Sequence, residues 1–303
     1  MTSPPAQHPA PPAPTNLNTL KGLRLLSLAL NLPGPAALMR CRQMGARCVK
    51  LEPPAGDPMQ HYSPAAYAQL HAGVTTITAD LKTAAGQQVL HRQLAKTDVL
   101  LTSFRPSAIE KLGLNWKSLH RQYPALSHVA IFGSPGLSAE TPGHDLTYLA
   151  DKGLVPGLEL PATLFADMGG SLMASEAVLQ AALRQRLGGQ GVKGVRLEVA
   201  LASAADYLAL PRHWGLTQPE GFVGGAHAGY GVYACRDGRV AVAALEPHFA
   251  AALCAAAGVA TSTVASLQSA ATRAAIARFL KQQTRAQLDA LALAHDIPLH
   301  TMA

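Results

Sequence analysis

The sequence predicts an α/β fold: a Rossmann-like, mostly parallel sheet flanked by helices, with a second, smaller α+β domain after it. Three observations predict it. Short apolar runs bounded by turn residues recur between residues 23 and 132 and alternate with helical stretches, the βαβ pattern of a parallel sheet. A Gly-, Pro- and His-rich segment at 213–228 then breaks the pattern. Beyond it, two strands joined by Arg236-Asp237-Gly238 make a hairpin ahead of alanine-rich helices.

Residues 1–18 carry Pro4, Pro5, Pro9, Pro11, Pro12 and Pro14, which suits a disordered tail without apolar surface to bury. The large domain is expected over 19–212. Its first strand is the apolar run 23–30. Asn31-Leu32-Pro33-Gly34-Pro35 turns the chain, with Pro35 placed to start a helix over 36–44 that Gly45 stops. A strand at 48–52 completes the βαβ unit. Glu52 closes that strand as a ribose-binding acid does in dinucleotide folds. The preceding turn reads LPGPAA rather than GxGxxG, however, and NAD is discounted.

Strands at 76–81, 98–104 and 128–132 follow, separated by helices at 86–94 and 108–112. Ligands on such sheets sit at the carboxyl ends of the strands, where Arg105, Gly133 and His144 gather. A long helix at 168–187 carries Arg184 and Arg186 in its last turn, as the helix dipole prefers. A strand at 195–200 and a helix at 201–210 close the large domain. Residues 213–228 read as a linker and 229–303 as the small domain, with its hairpin at 231–245 and two or three helices.

Composition narrows the function. The hydrophobic content of 49% is globular, and no apolar run approaches the ~18 residues of a membrane span. A formal charge of +7 with 5% aromatics and scattered Lys and Arg argues against nucleic acid and suits either a solvated basic surface or a small partner carrying phosphates. Cys41, Cys48, Cys235 and Cys254 show neither CxxC nor His spacing, so no metal site is expected and they read as buried apolar residues of a reducing compartment. No charged segment precedes an apolar one at the N-terminus, and a cytoplasmic location is expected.

Chemistry concentrates in GHDLTYL (143–149) and FADMGG (165–170). His144 is a surface-loop residue on the plain reading and an acid–base group on the other, since imidazole titrates near neutral pH. Asp167, 23 residues on (167 − 144), precedes a helix and reads first as an N-cap. Gly169 and Gly170 are weak helix formers, and they favour a second reading in which a ligand approaches the N–H groups at the helix start. Glu246, followed by Pro247, is a helix-entry residue or a partner that orients a histidine.

The segments LKGLRLL, PGPAALM, GARCVKLEPP, TADLKTAAG, DVLLTSFRPSAIEKLGL, GHDLTYLADKGL, ADMGGSLMASEAVLQAAL and VAVAALEPHF occur in that order from residue 20 to about 255. Together they resemble the class III CoA-transferase superfamily of the CaiB/BaiF type, and within it the α-methylacyl-CoA racemases. The resemblance implies inversion of the α-carbon of a 2-methylacyl-CoA thioester through an enolate. His144 and Asp167 correspond to the two bases, with Glu246 from the small domain pairing with the histidine. It implies CoA contacts at Ala79, Lys82, Leu100, Phe104, Arg105, Lys111, Asp145 and Tyr148, coenzyme A entering as part of the substrate with no permanently bound cofactor, and a homodimer. In the transferase branch the matching aspartate instead carries the acyl group as nucleophile. The basic cluster usual before the TADL-like strand is replaced here by Leu70-His71-Ala72-Gly73-Val74-Thr75, and the C-terminal return segment of the family has no counterpart. A truncated, non-catalytic relative is therefore a third reading.

Overall fold

A computed structural model of the chain describes residues 17–189, 191–260 and 262–303. The Pro-rich segment 1–16 lies outside the described residues. Two compact units divide at Leu208 and Ala209.

The large unit is built on strands β1 (Arg24–Ser27), β2 (Arg47–Glu52), β3 (Thr75–Thr78), β4 (Val99–Thr102), β5 (Ser127–Phe132) and β6 (Arg196–Ala200). All pair in parallel, in the order β3-β2-β1-β4-β5-β6. This is the doubly wound order of Rossmann folds, in the parallel sheet that the apolar runs predict. Its central strands β4 and β5 are buried along their whole length. Alternation sorts their side chains between two cores: Leu25, Val99, Leu101, Val129 and Ile131 face one, while Leu26, Leu100, Ala130 and Phe132 face the other.

Helices of the large unit are α1 (Pro33–Gln43), α2 (Met59–Tyr62), α3 (Pro64–Leu70), α4 (Ala84–Leu94), α5 (Pro106–Lys111), α6 (Trp116–Gln122), α7 (Asp145–Asp151), α8 (Phe165–Leu187) and α9 (Leu201–Leu208). Helix α1 begins earlier than expected, because Pro33 lacks the N–H that a first-turn residue leaves unused. Helices α2, α3, α6 and α7 are too short to leave a full 3.6-residue period in the sequence. Each is set by local devices, such as the Asn115 side chain accepting the Ser118 N–H at 3.0 Å ahead of α6.

The small unit holds a three-stranded antiparallel sheet, β7 (Tyr230–Cys235), β8 (Gly238–Ala243) and β9 (Leu299–Met302), in the order β7-β8-β9. Helices α10 (Leu210–His213), α11 (Pro247–Ala256), α12 (Val264–Leu267), α13 (Ala270–Gln282) and α14 (Arg285–His295) complete it. Its core gathers Val240, Val242, Leu253, Ile276, Leu280 and Leu288. Two sequence expectations are corrected here. Residues 299–302 form a third strand, whose pairing with β8 a local pattern does not reveal. Residues 213–228 are not a free linker: Ala228 is wholly buried in the small unit's core, and Arg273 donates to the carbonyls of Gly225 and His227.

Candidate functional site

A cavity of about 670 Å³ opens at the carboxyl ends of β1, β4 and β5. It lies at the switch point of the sheet, where connections from β1 and β4 leave in opposite directions and their loops part. Asn31 and Leu32 line it from the β1–α1 loop, Ser103, Phe104 and Arg105 from the β4–α5 loop, and Gly133 from the end of β5. His144, Tyr148 and Asp167 complete the same wall system. Arg105, Gly133 and His144 thus gather as the strand-end rule requires, and the two residues that the motifs single out share one cavity.

The convergence rests on Asp145. This residue opens α7, where a carboxylate suits the positive end of the helix, and it is buried. Its Oδ1 accepts the backbone N–H of Asp167 at 2.9 Å, 22 residues away. First-turn N–H groups of a helix have no partner inside it, so Asp145 caps α8 from another helix. The N-cap reading of Asp167 is corrected accordingly. Helix α8 starts at Phe165, its N-cap Leu164 offers no side-chain bond, and Asp167 lies inside the first turn with its carboxyl on the cavity.

The reading of Gly169 and Gly170 is corrected too. The helical ladder has begun by Met168, whose N–H donates to Leu164 O, so the glycines do not bare N–H groups for a ligand. A Cβ on Gly170 would overlap Leu201 Cδ2, and one on Gly169 would press Leu208 and Ala204 at 3.2 and 3.3 Å. These glycines let α8 and α9 approach.

Asp167 holds its proton up to about 6, well above an ordinary carboxyl. Burial is the first cause and the charge of Asp145 the second, while His144 acts against both. His144 is the exposed N-cap residue of α7; Thr147 Oγ1 accepts its N–H at 3.0 Å and donates to its carbonyl at 2.7 Å. Tyr148 is buried with its ring against Gly143, where a Cβ would come within 2.6 Å of it. Burial raises the Tyr148 phenol, as does the charge of Asp167, and Arg105 opposes the shift.

The remaining predicted contacts divide. Phe104, Arg105 and Tyr148 line the cavity. Lys82 and Lys111 are exposed beyond its lining, in the turn between β3 and α4 and in the last turn of α5. Ala79 is buried, its N–H donating to Glu52 O at 2.9 Å. Leu100 is fully enclosed in the core, since alternation along β4 turns it into the sheet's face, and it offers no surface to a ligand. Asp145 is spent on Asp167, as described. Glu246, in the small unit, is the exposed N-cap residue of α11 and makes no capping bond through its side chain.

Sequence reasoning missed a second polar cluster. Lys50, inside β2, is wholly buried; its ammonium contacts Asp57, Glu52 at 3.1 Å and His71 Nε2 at 2.8 Å. With Nε2 accepting, His71 Nδ1–H donates to Tyr67 O at 2.7 Å, and the Tyr67 hydroxyl donates to Glu52 at 2.9 Å. Asp57, Glu52 and His71 are close enough together to hold a cation, and the lysine supplies that charge directly. Glu52 is thereby engaged in the interior rather than offered to a ribose. The signal was legible: beyond the exposed Arg47 that opens β2, Lys50 and Glu52 interrupt its apolar residues, and a buried charge there must find partners.

The site thus combines a carboxyl of raised proton affinity with a histidine at one strand-end cavity of a doubly wound sheet. The family model described as CoA-transferase family III matches residues 20–303, and the chain belongs to that family. Among its relatives, the α-methylacyl-CoA racemase of Mus musculus is 31% identical over 77% of this chain and 63% of its own length. The cinnamoyl-CoA:phenyllactate CoA-transferase of Clostridium sporogenes is 30% identical over 63% of this chain and 51% of its own. The chain thus matches about half to two thirds of the length of these relatives. A crystal structure of a CaiB/BaiF family protein from Brucella suis matches with a TM-score of 0.77 and 26% identity, over 94% of this chain and 84% of that one. No helix among the described residues is long and apolar enough to cross a membrane.

Proposed function

We propose that the protein is an acyl-CoA racemase or epimerase, inverting the α-carbon of a 2-methylacyl-CoA by proton transfer between His144 and Asp167. The observation that carries this reading is the state of Asp167: its N–H is held by Asp145, and it lines the cavity of His144 with its proton affinity raised to about 6. A thioester acidifies its α-hydrogen. Removal on one face and return on the other need one group protonated and the other not. A carboxyl and an imidazole on one cavity are groups that can exchange these two states in either direction.

Arg105, on the cavity, and Lys82 and Lys111, outside it, supply positive charge for the phosphates of coenzyme A, which enters with the substrate. Glu246 orienting His144, a homodimeric assembly and a cytoplasmic location belong to the same proposal. Purified protein incubated with a 2-methylacyl-CoA in heavy water is expected to place deuterium at the α-carbon. Absence of exchange, or undiminished exchange in His144→Ala, would overturn it.

A second reading is supported by the likeness to the Clostridium sporogenes transferase. In it Asp167 attacks the thioester carbonyl to give an acyl-aspartyl anhydride and coenzyme A thiolate. The thiolate then attacks the aspartyl carbonyl and expels the first acid. A second carboxylate reverses the two steps, leaving as the new thioester with Asp167 restored. Hydroxylamine trapping of an Asp167-bound acyl group would select this reading.

A further inference from the structure

The cavity wall formed by the β1–α1 loop and α2 is held by a residue that has no part in the proposed proton transfer. Asp57 is wholly buried beside Lys50. Its two carboxylate oxygens accept the backbone N–H of Asn31 at 3.0 and 3.2 Å, and one also accepts that of Met59 at 3.0 Å. One side chain therefore ties the end of β1, the middle of β2 and the start of α2 together. Asn31 is pinned there with φ of 64°, a left-handed conformation that asparagine adopts more readily than most residues. The pinning delivers the Asn31 carboxamide and the Tyr62 phenol to the cavity side by side, with Tyr62 Oη 3.5 Å from Asn31 Oδ1. Both are exposed, on a stretch of wall that also carries Leu32, Met59, Ser63 and Ala66. The charge of Asp167 also reaches the Tyr62 phenol and helps to raise it, after burial and Asp57. The pair thus stands near the reacting carboxyl, where the acyl group rather than the nucleotide belongs.

We infer that Asn31 and Tyr62 form a hydrogen-bonding subsite for an oxygen on the acyl chain of the thioester, a hydroxyl or a second carboxylate, and that Asp57 is its positioning residue. The Tyr62 hydroxyl donates to Asn31 Oδ1, which leaves the Asn31 N–H groups to donate to that oxygen and lets the Tyr62 hydroxyl turn to it; a plain hydrocarbon chain engages neither. The inference rests on the reading of the cavity as a thioester site.

Its test is binding, which does not depend on turnover. Isothermal titration of S-propyl-, S-(3-hydroxypropyl)- and S-(2-carboxyethyl)-coenzyme A, none of which can react, compares one chain end with another. The wild type is expected to bind an oxygenated analogue about fivefold or more tighter than the propyl one, as hydrogen bonds of ordinary strength give. Asn31→Gly keeps the left-handed backbone without strain, and Tyr62→Phe keeps the ring. Each is expected to reduce the preference and both together to abolish it, with propyl affinity within about twofold of wild type. Asn31→Asp identifies the oxygen: it repels a carboxylate and still accepts from a hydroxyl.

Asp57→Asn, checked for folding by circular dichroism, is expected to lose the preference as Asn31→Gly does. Retention of the preference by folded Asp57→Asn overturns its positioning role. Equal affinity for the three analogues in the wild type, including no binding of any, overturns the subsite, as does a preference that survives the Asn31→Gly, Tyr62→Phe pair. Loss of deuterium exchange with the preference intact instead counts against the racemase reading alone.

Discussion

The large unit holds two clusters of carboxylate and histidine that differ in one respect. Around Lys50, every charge meets a partner: the ammonium is shared by Asp57, Glu52 and His71, and Tyr67 closes the ring. Around the cavity, Asp145 is matched to a backbone N–H while Asp167 and His144 face open space. The same residue types therefore serve as an internal clamp in one place and as titratable groups in the other. In the first, burial and the lysine lower the affinity of His71 for a second proton. In the second, burial and a neighbouring like charge raise the affinity of Asp167. What decides between structure and chemistry is whether the partners are complete, not which residues are present.

Variants can break that contrast. The largest effect is expected on α-deuterium exchange: His144→Ala and Asp167→Asn should each lower its rate by about 10²- to 10⁴-fold, while leaving the far-ultraviolet spectrum unchanged. Lys50→Met should behave in the opposite way. It strands two buried carboxylates and is expected to cost about 3–5 kcal/mol of stability in urea titration, the range for breaking a buried pair. A Lys50→Met protein of wild-type stability would remove the distinction drawn between the clusters.

Gly170→Ala comes next. Its methyl would overlap Leu201 Cδ2, and separation of α8 from α9 should cost about 1–3 kcal/mol in the same titration. In a Leu201→Ala background, where the overlapping atom is gone, Gly170→Ala is expected to lose most of that cost.

The smallest effects are read against pH. The folded-state proton affinity of Asp167 is raised to about 6 from 3.8, so ionising it destabilises the fold. That penalty is absent below the unfolded value, grows as pH rises through about 6, and is complete above it. Asp167→Asn should therefore gain on the order of 1 kcal/mol at pH 8 and progressively less towards pH 5, after allowance for solvent screening. Asp145→Asn keeps an oxygen for the Asp167 N–H and removes the second cause of the shift. The acid limb of the exchange profile should move to lower pH, with His144, Tyr62 and Tyr148 left as the other titratable neighbours of the carboxyl. An unmoved limb would assign the shift to burial alone.

Much of the fold was legible in the sequence because its signals are local. Apolar runs at 23–30, 98–104 and 128–132 mark strands that the structure buries on both faces, and the alternation within each already sorts side chains between two cores. His144 and Asp167 were legible as candidates from residue type and setting, and Arg105 from its place after a strand. Tertiary structure decided what those residues face. The strand order brings the loops after β1 and β4 beside the same opening, and a backbone bond across 22 residues makes Asp145 a cap and Asp167 a cavity wall. Gly169 and Gly170, which look in sequence like access for a ligand, prove to be the contact surface for α9. Lys50 and Asp57 read as two charges seven residues apart (57 − 50) until burial joins them. A side chain's type and periodicity reach only its neighbours along the chain. Its partner, and so its protonation and role, is chosen by whatever packing brings against it.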